Sequence, residues 1–277
     1  MDRQQPITLS PEQLSEIQRI ELECLVEFDR ICRLHSIKYS ADGGTLLGAV
    51  RHEGFIPWDD DIDVMMPRNE YERFFEVCKT ELDKSRFFLS EHRTDKEYRV
   101  GFPRLKRLNT MYVRIGREDN KQVEGVTIDI FPLDNMPNNM ILRYVYILLS
   151  FVFRKILWSG KGKRVKKGLI KLVYCGLNFI PAKVAFGGFA MLRKMCNSAD
   201  VECISHYPIP NPKRMKFGVK KQYFCNLVDL QFENIKVRSV AEYDEHLRLI
   251  FGNYLELPPE EKRKPKVDLA YFRDIEE

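Results

Sequence analysis

The chain has 277 residues, 44% hydrophobic and 31% charged, which is the composition of an ordinary folded, soluble protein with room for one large domain or for a catalytic core and a helical appendage. Its seven Cys are odd in number and lack any C-x-x-C spacing, which argues against a disulfide framework or a zinc site and favours a reducing cytoplasm. The net charge is +5, and residues 1–6 contain no apolar segment, so we expect no secretory signal.

The first predicted element is a helix that begins after Ser10. Ser10 is the predicted N-cap, Pro11 stands at the first helical position, and Gln13 follows three residues after the cap. Apolar residues then recur with a helical period, namely Ile17, Ile20, Cys24, Phe28 and Ile31. We therefore expect an amphipathic helix before the first motif.

A glycine pair comes next, between a short strand predicted at residues 37–39 and a helix predicted at residues 45–50. In such a turn, Gly43 and Gly44 let backbone N–H groups approach a phosphate, and the helix N-terminus adds its dipole. Alone, a Gly-Gly pair is usually only a turn. Its position just before a strand that carries an Asp-x-Asp pair makes the prediction of a phosphate site specific.

The strand that follows carries a row of aspartates. Residues 61–66 begin with alternation and end before a proline, so they predict a strand. Side chains two residues apart on a strand share a face about 6.6 Å apart, so Asp59, Asp61 and Asp63 would line one edge. Carboxylates that close repel one another unless a cation lies between them, and their hard oxygen atoms suit Mg²⁺.

A solvated acidic turn or a calcium loop would also produce a row of aspartates. A calcium loop requires Gly at its sixth position and Glu at its twelfth. Counted from Asp59, these positions hold Val64 and Glu70, so the Glu matches but the Gly is absent. The apolar residues between the aspartates favour a strand, and we prefer metal–phosphate chemistry to either alternative.

Short elements then alternate up to a further aspartate. A helix is predicted at 69–82, and strands are predicted at 87–89, 100–105 and 111–115. Residues 126–131 alternate, with Asp129 on the face opposite Val126, Ile128 and Ile130. This Asp suits the wall of a site, and an ordinary edge-strand Asp is the alternative. The succession predicts an α/β (α+β) domain with a mixed sheet and flanking helices.

Residues 135–199 differ in composition from the rest. They contain no Asp or Glu and carry a net charge of +12. Since the whole chain carries +5, the remaining residues carry −7. The apolar stretch 141–158 is shorter than the about 20 residues that a spanning helix needs. Residues 161–171 predict a basic linker, and 172–195 a second apolar stretch. Two hypotheses stay open: a helical subdomain packed on the core, or a helix pair on an anionic membrane surface.

The last third of the chain returns to mixed character. A turn and strand are predicted at 231–237 and a helix at 240–251, while the charged tail 262–277 is expected to be poorly ordered. We therefore divide the chain into a catalytic core at 1–134, a basic, apolar helical insert at 135–199, and a C-terminal part at 200–277 that completes the core.

Five segments together resemble the LicD family: Gly43–Thr45, Gly48–His52, Phe55–Asp63, Ile128–Asp134 and Phe251–Glu260. The family includes bacterial phosphocholine transferases and the more distant fukutin-related ribitol-phosphate transferases. The resemblance runs from about residue 25 to about residue 265 and leaves only the middle region without clear motifs. It implies a nucleotidyltransferase-like fold in which Asp61 and Asp63 form the metal-binding pair and Asp129 is the third carboxylate.

The resemblance also implies a reaction, the transfer of a phospho-alcohol such as phosphocholine from a CDP-activated donor to a glycan hydroxyl, with release of CMP. One or two Mg²⁺ (or Mn²⁺) ions would be held by Asp61, Asp63 and Asp129, with Asp59 as a further ligand. We expect Asp129 also to accept the proton of the acceptor hydroxyl.

Further residues are candidates for binding the donor. Gly43, Gly44 and Thr45 would donate hydrogen bonds to a phosphate. Arg51 lies about two helical turns past the glycine pair and is a candidate phosphate clamp, with a surface salt bridge as the alternative. Trp58 is a candidate for stacking on a base, with simple packing as the alternative.

Other functions remain open. The enzyme could transfer a nucleotide instead, with NMP passing to a small-molecule or glycan acceptor, or the chain could be a non-catalytic membrane-associated scaffold. A sugar transferase fits poorly because the Gly-Gly-Thr turn lies just before the Asp-x-Asp strand. Nucleic acid is not an expected partner, because the aromatic residues of the basic segment are not spaced as stacking platforms. We expect a cytoplasmic protein, peripheral at the inner face of a membrane, with a lipid-linked or other glycan acceptor.

Overall fold

The structure is a computed structural model that describes residues 9–116, 122–196, 201–206, 218–265 and 269–273. The expectation about a secretory signal at residues 1–6 lies outside the described residues. Within them the chain forms seven α-helices and eleven β-strands. In chain order these are α1 (Pro11–Leu34), β1 (Ser40–Ala41), α2 (Gly43–His52), β2 (Asp63–Pro67), α3 (Arg68–Glu81), β3 (Phe87–Ser90), β4 (Arg104–Arg107), β5 (Met111–Arg114), β6 (Thr127–Asn135), α4 (Met140–Val165), α5 (Gly168–Leu177), α6 (Ala182–Met195), β7 (Cys203–Ser205), β8 (Val219–Lys220), β9 (Leu227–Phe232), β10 (Ile235–Val240), α7 (Tyr243–Phe251) and β11 (Leu269–Arg273).

The first helix begins where its capping signals predict. Ser10 Oγ accepts a hydrogen bond from the backbone N–H of Gln13 at 3.2 Å, and the backbone N–H of Ser10 donates to Gln13 Oε1 at 3.0 Å. Two backbone donors at the helix N-terminus are thus satisfied reciprocally. All five residues of the predicted apolar stripe are fully buried, namely Ile17, Ile20, Cys24, Phe28 and Ile31.

The central sheet is mixed, which confirms the predicted fold class. Among the described residues it has seven strands, with β1, β2, β6, β4 and β3 in that order and β7 and β8 continuing from the end of β6. Strands β2 and β6 are parallel, whereas β1–β2, β4–β6 and β3–β4 are antiparallel. Helices α1, α2 and α3 contribute to the main hydrophobic core with these strands.

Strand β2 begins at Asp63, two residues later than predicted. Its parallel pairing with β6 starts where Asp63 lies beside Asp129, and the carbonyl of Ile62 accepts from the backbone N–H of Asp129 at 2.9 Å. Asp59 and Asp61 precede this pairing and so lie in the segment that leads into the strand. The predicted shared strand edge for all three aspartates is therefore wrong, although the segment still brings them close together.

The insert is more helical than its composition predicts. Residues 161–171 were predicted as a linker, but α4 continues to Val165 and α5 begins at Gly168. Lys and Arg are good helix formers, so a basic run by itself does not end a helix. Gly162 allows close packing, since a Cβ at this position would lie 2.5 Å from Cγ of Tyr174. Helices α4 and α6 bury a hydrophobic cluster of their own, and the three-part division of the chain stays a prediction.

The C-terminal part completes the fold. Strands β9 and β10 form an antiparallel hairpin from Leu227 to Val240, so helix α7 begins three residues later than predicted, at Tyr243. The tail also departs from expectation. Its described residues 269–273 form β11, which pairs antiparallel with β5, so this part of the tail is ordered. Residues 274–277 lie outside the described residues.

Candidate active site

The N-terminus of α2 faces the acidic segment through its two glycines. Gly43 has a φ of +53°, a left-handed conformation that favours glycine. A Cβ at Gly43 would lie 3.2 Å from Asp63 Oδ2, and a Cβ at Gly44 would lie only 2.2 Å from Asp59 Oδ2. Both carboxylates therefore lie against the first turn of α2, where unpaired N–H groups and the helix dipole favour negative charge.

Thr45 holds the acidic strand against this helix. Its Oγ1 accepts a hydrogen bond from the backbone N–H of Asp63 at 2.8 Å, and the backbone N–H of Asp42 donates to the carbonyl of Asp63 at 3.0 Å. Thr45 is buried. The structure thus gives Thr45 a positioning contact, and its predicted donation to a phosphate stays a prediction.

Asp129 lies between Asp63 and an arginine. The sheet places Asp63 beside it on β2 and Arg104 beside it on β4. Arg104 Nε lies 2.8 Å from Asp129 Oδ1 in an ion pair without hydrogen-bond geometry, and Arg104 Nη2 donates to Oδ2 at 3.3 Å. Asp129 is only 8% exposed, because both faces of β6 are covered rather than the one face that was predicted. The sheet register thus brings the predicted third carboxylate to the predicted pair.

The acidic residues strongly perturb one another. Burial, followed by the charges of Asp59 and Asp129, raises the pKa of Asp61 to about 7. Burial, followed by the charges of Asp61 and Asp129, raises the pKa of Asp63 well above its ordinary value. Clustered carboxylates with raised pKa values are typical of functional sites, because the fold keeps like charges together that would otherwise separate.

Two more residues of this cluster come from distant parts of the sequence. Glu21 of α1 is buried below the acidic segment, and burial, together with the charges of Asp61 and Asp60, raises its pKa well above the ordinary value. Arg114 of β5 is the nearby cation. Burial opposes its charge, but Tyr112 and the carboxylate of Asp129 raise its pKa above the ordinary value. Nothing in the local sequence around either residue predicts a role in a site.

A cavity of about 290 Å³ opens beside the acidic cluster. Gly43 and Asp63 line it together with His246 of α7 and Arg143 of α4. His246 Nε2 lies 2.8 Å from Asp42 Oδ1, and both side chains are buried. The cavity therefore lies between the core and the insert, and it is large enough to admit part of a substrate next to Asp63.

The two remaining predicted residues lie elsewhere. Arg51, at the end of α2, donates from Nη1 to the backbone carbonyls of Tyr254 at 2.8 Å and Glu256 at 3.3 Å. Trp58 packs on the main core, with Arg263 lying 5.8 Å from the centre of its ring. Neither lines the cavity beside Asp63. Their proposed roles as phosphate clamp and base-stacking residue stay predictions.

The acidic side chains fit a hard divalent cation such as Mg²⁺ or Mn²⁺. Among the described residues, no three Asp, Glu, His or Cys side chains already form a closed ligand set. Mg²⁺ does not need one, because it is usually held by one or two carboxylates together with phosphates and water. The raised pKa values of Asp61 and Asp63 indicate repulsion that a bound cation would relieve. Asp59 and Asp129 remain predicted further ligands.

Stability is expected to depend on pH through Asp61. Its pKa is raised from 3.8 to about 7, so between these values the folded protein holds a proton that the unfolded chain has released. Stability should therefore fall as pH rises through this window. Asp61→Asn removes this titration. The melting temperature of the variant, measured relative to that of wild type, should therefore rise as the pH increases from about 4 to about 7. Thermal unfolding in EDTA measures this, and a difference that is constant with pH would contradict the assignment.

Comparisons with known proteins show what this chain is similar to. Residues 36–149 match the family model described as LicD/FKTN/FKRP, nucleotidyltransferase domain. The chain is 29% identical over 270 residues to the lipopolysaccharide cholinephosphotransferase LicD of Haemophilus influenzae, an alignment that covers 91% of this chain and 95% of that protein. It is also 34% identical over 100 residues to an uncharacterised protein of Rickettsia prowazekii, which covers 27% of this chain and 38% of that protein. The matched residues 36–149 include the glycine pair and every aspartate of the predicted site, and over nearly its full length the chain is similar to a LicD protein.

Proposed function

We propose that this protein transfers a phospho-alcohol, such as phosphocholine, from a CDP-activated donor to a hydroxyl group of a lipopolysaccharide-type glycan and releases CMP. The observation that carries the proposal is the packing of Asp59 and Asp63 against the glycine-rich N-terminus of α2, with Asp129 beside Asp63 in the sheet and Asp61 close enough for the charges of Asp59 and Asp129 to raise its pKa. The similarity to the Haemophilus influenzae cholinephosphotransferase over nearly the full length of both chains supports the choice of donor group and acceptor.

Different residues of the chain have different roles in such a transfer. The backbone N–H groups at Gly43 and Gly44 bind a donor phosphate at the helix N-terminus. A divalent cation held by Asp61 and Asp63 would neutralise phosphate charge and orient the donor. Thr45 keeps Asp63 in position through the hydrogen bond to its backbone. Positioning and charge neutralisation are the main demands of phosphoryl transfer, and this arrangement meets both.

The acceptor hydroxyl loses a proton in this reaction, and Asp129 is the residue that we propose accepts it. The acceptor hydroxyl attacks the phosphorus that bears the alcohol, the bond from that phosphorus to the CMP oxygen breaks, and CMP departs. Asp129 takes the proton of the hydroxyl, and Arg104 keeps its carboxylate oriented through their ion pair. Protein groups bind, orient and accept the proton without forming a covalent intermediate.

The reaction is tested by incubating the purified protein with a panel of CDP-alcohols and Mg²⁺, with and without lipopolysaccharide. We expect acceptor-dependent release of CMP and transfer of the phospho-alcohol to the glycan. The competing hypothesis, nucleotidyl transfer, would instead yield an acceptor modified with NMP. Absence of both products with every donor would favour the non-catalytic scaffold.

We further propose that the insert holds the enzyme peripherally on the inner face of an anionic membrane. Helices α4, α5 and α6 and the turn between α5 and α6 expose large apolar side chains, among them Ile141 (75%), Leu148 (63%), Leu169 (78%), Leu172 (65%) and Phe179 (88%). Residues 135–199 combine this apolar surface with +12 and no acidic residue. Apolar surface that inserts shallowly and cations that attract anionic headgroups are the two parts of interfacial binding.

A helix that spans a membrane needs about 20 mainly apolar residues. Within the described residues no single helix is both long enough and apolar enough to cross a membrane. Helices α5 and α6 together have the required length and apolarity, but they are bent by 80° relative to each other.

Removing surface charge from the insert is expected to weaken membrane binding. Replacing Lys163, Arg164, Lys166 and Lys167 by Gln should reduce co-sedimentation with anionic vesicles, because each nearby cation contributes about 1 kcal/mol. Binding of wild type should also fall as salt rises, since the Debye length is about 8 Å at physiological ionic strength. The control removes four exposed lysines outside the insert, Lys79, Lys84, Lys96 and Lys236. Equal binding to neutral and anionic vesicles, or equal loss in both variants, would contradict the proposal.

A further inference from the structure

A second cavity, of about 310 Å³, lies between the core and helix α4. It shares no lining residue with the cavity beside Asp63. Among the residues that the structure describes, its lining holds six cationic side chains and no acidic one, the cations being Arg99, Arg104, Arg114, Arg154, Lys155 and Lys161. So many like charges around one cavity repel one another unless an anion lies between them.

Two of these cations connect the cavity to the acidic cluster. Arg104 forms the ion pair with Asp129, and Arg114 is close enough to Asp129 and Asp61 for their charges to raise its pKa. A ligand in this cavity would therefore lie directly behind the carboxylates proposed to hold the donor. The three cations from α4, which are Arg154, Lys155 and Lys161, close the other side.

Several of the cations have no anionic partner in the part of the chain that the structure describes. Among the described residues, Arg99, Arg154 and Lys155 form no ion pair, and the buried Nε atoms of Arg99 and Arg114 have no hydrogen-bond partner. Burial also lowers the pKa of Arg99 and of Arg154, so their environment opposes charge. Buried, unpaired donors of this kind are costly, and a bound anion would satisfy them.

The orientation of these side chains is fixed by the surrounding contacts. Arg99 Nη2 donates to the carbonyl of Ile156 at 3.0 Å and to Ser159 Oγ at 3.2 Å, which ties the segment before β4 to α4. Lys155 Nζ lies 4.9 Å from the ring centre of Phe151 and 5.7 Å from that of Trp158. The cavity is thus a built site rather than a chance group of flexible surface lysines.

We infer that this cavity is a second binding site, for a phosphate-bearing ligand, formed jointly by the core and the insert. Guanidinium groups bind phosphate oxygens through paired hydrogen bonds, and four arginines converge here. The ligand is either the diphosphate of the nucleotide donor or a phosphate group on the glycan acceptor. The identity of these two candidate ligands rests on the proposed function. The existence of the site does not.

The test measures binding to the full-length protein by calorimetry, with inorganic pyrophosphate, CDP-choline and a hexose 6-phosphate as separate probes. We expect the double variant Arg154→Gln, Lys155→Gln to bind pyrophosphate about tenfold or more weakly, because hydrogen bonds to charged groups are the strong ones. The matched control, Lys171→Gln with Lys183→Gln, removes the same charge from exposed positions of the same insert and should change affinity by less than about twofold. Loss of CDP-choline affinity assigns the cavity to the donor, and loss of hexose 6-phosphate affinity assigns it to the acceptor.

A folding control accompanies the measurement. Lys155 packs on aromatic rings, so the single variant Arg154→Gln provides an independent test if the double variant unfolds. Pyrophosphate should also raise the melting temperature of wild type more than that of Arg154→Gln. Equal pyrophosphate affinity of wild type, cavity variant and control would overturn the inference. Absence of any transferase activity, with pyrophosphate binding still dependent on Arg154, would instead reject the proposed function and leave the second site in place.

Discussion

Replacing Asp63 by Asn is expected to abolish turnover while leaving the protein folded. Asp63 lies against the N-terminus of α2, and burial, followed by the charges of Asp61 and Asp129, raises its pKa well above the ordinary value. A neutral amide cannot hold a divalent cation as a carboxylate does, so kcat should fall on the order of a thousandfold. The same substitution removes repulsion between like charges, so the free energy of unfolding should be unchanged or raised. Asp61→Asn should behave alike.

The control for these variants is Glu76→Gln on α3. Glu76 is an exposed carboxylate that pairs with Lys79. Exposed pairs of this kind contribute little, so activity and stability should both stay close to wild type. Steady-state rates of CMP release at saturating Mg²⁺ and denaturant unfolding provide the two measurements. Wild-type turnover by Asp61→Asn or Asp63→Asn would show that the metal-site assignment is wrong.

A side chain at Gly44 is expected to prevent donor binding. A Cβ there would lie 2.2 Å from Asp59 Oδ2, so Gly44→Val forces the Asp59 carboxylate away from the helix and fills the approach to the backbone N–H groups. Donor affinity should fall by about tenfold or more, with a loss of stability of about 1–3 kcal/mol from overpacking. Calorimetry with CDP-choline and denaturant unfolding measure the two effects separately.

Gly187→Ala provides the matched control within a helix. A Cβ at Gly187 meets no other atom within 4 Å, and Ala favours helix over Gly. This variant should therefore keep the donor affinity of wild type and gain slightly in stability. If Gly44→Val is folded and binds the donor as tightly as wild type does, the glycine pair is only a structural turn and the phosphate site lies elsewhere.

The parts of the site that local sequence signals predict are those made by short segments. The cap at Ser10 and the helix that begins at the glycine pair occur close to their predicted positions, whereas only Asp63 of the three aspartates lies on the strand. Alternation predicted that Asp63 and Asp129 each lie on a strand, and the family resemblance implied that both belong to one site. In the structure the two residues are neighbours on adjacent parallel strands.

The remainder of the site depends on contacts between distant segments. Arg104 lies beside Asp129 only because β4 is the neighbour of β6 in the sheet, and strand order is not encoded in a window of ten residues. Glu21 lies on helix α1, and the apolar pattern of that helix does not predict that an acidic residue is also buried. His246 reaches Asp42 across more than two hundred residues of sequence. Such partners emerge only when the topology is known.

The error in the insert has a different physical cause. Lysines and glycines between residues 160 and 168 suggested a linker, yet the helix continues to Val165 because Gly162 packs against the ring of Tyr174. Tertiary packing here overrides the weak preference of glycine against helix. Several basic residues of the insert, such as Lys155, line the cavity between α4 and the core.

The pairing of β11 with β5 makes the end of the chain a cover for an otherwise open strand. Without residues 269–273, the backbone donors and acceptors of β5 that face β11 would be exposed along Met111–Arg114. Exposed strand edges recruit other strands, so a protein shortened before Leu269 would be prone to self-association. Because β5 also carries Arg114, the damage would extend to the acidic cluster. Loss of activity in a form without residues 269–273 would therefore not by itself implicate these residues in chemistry.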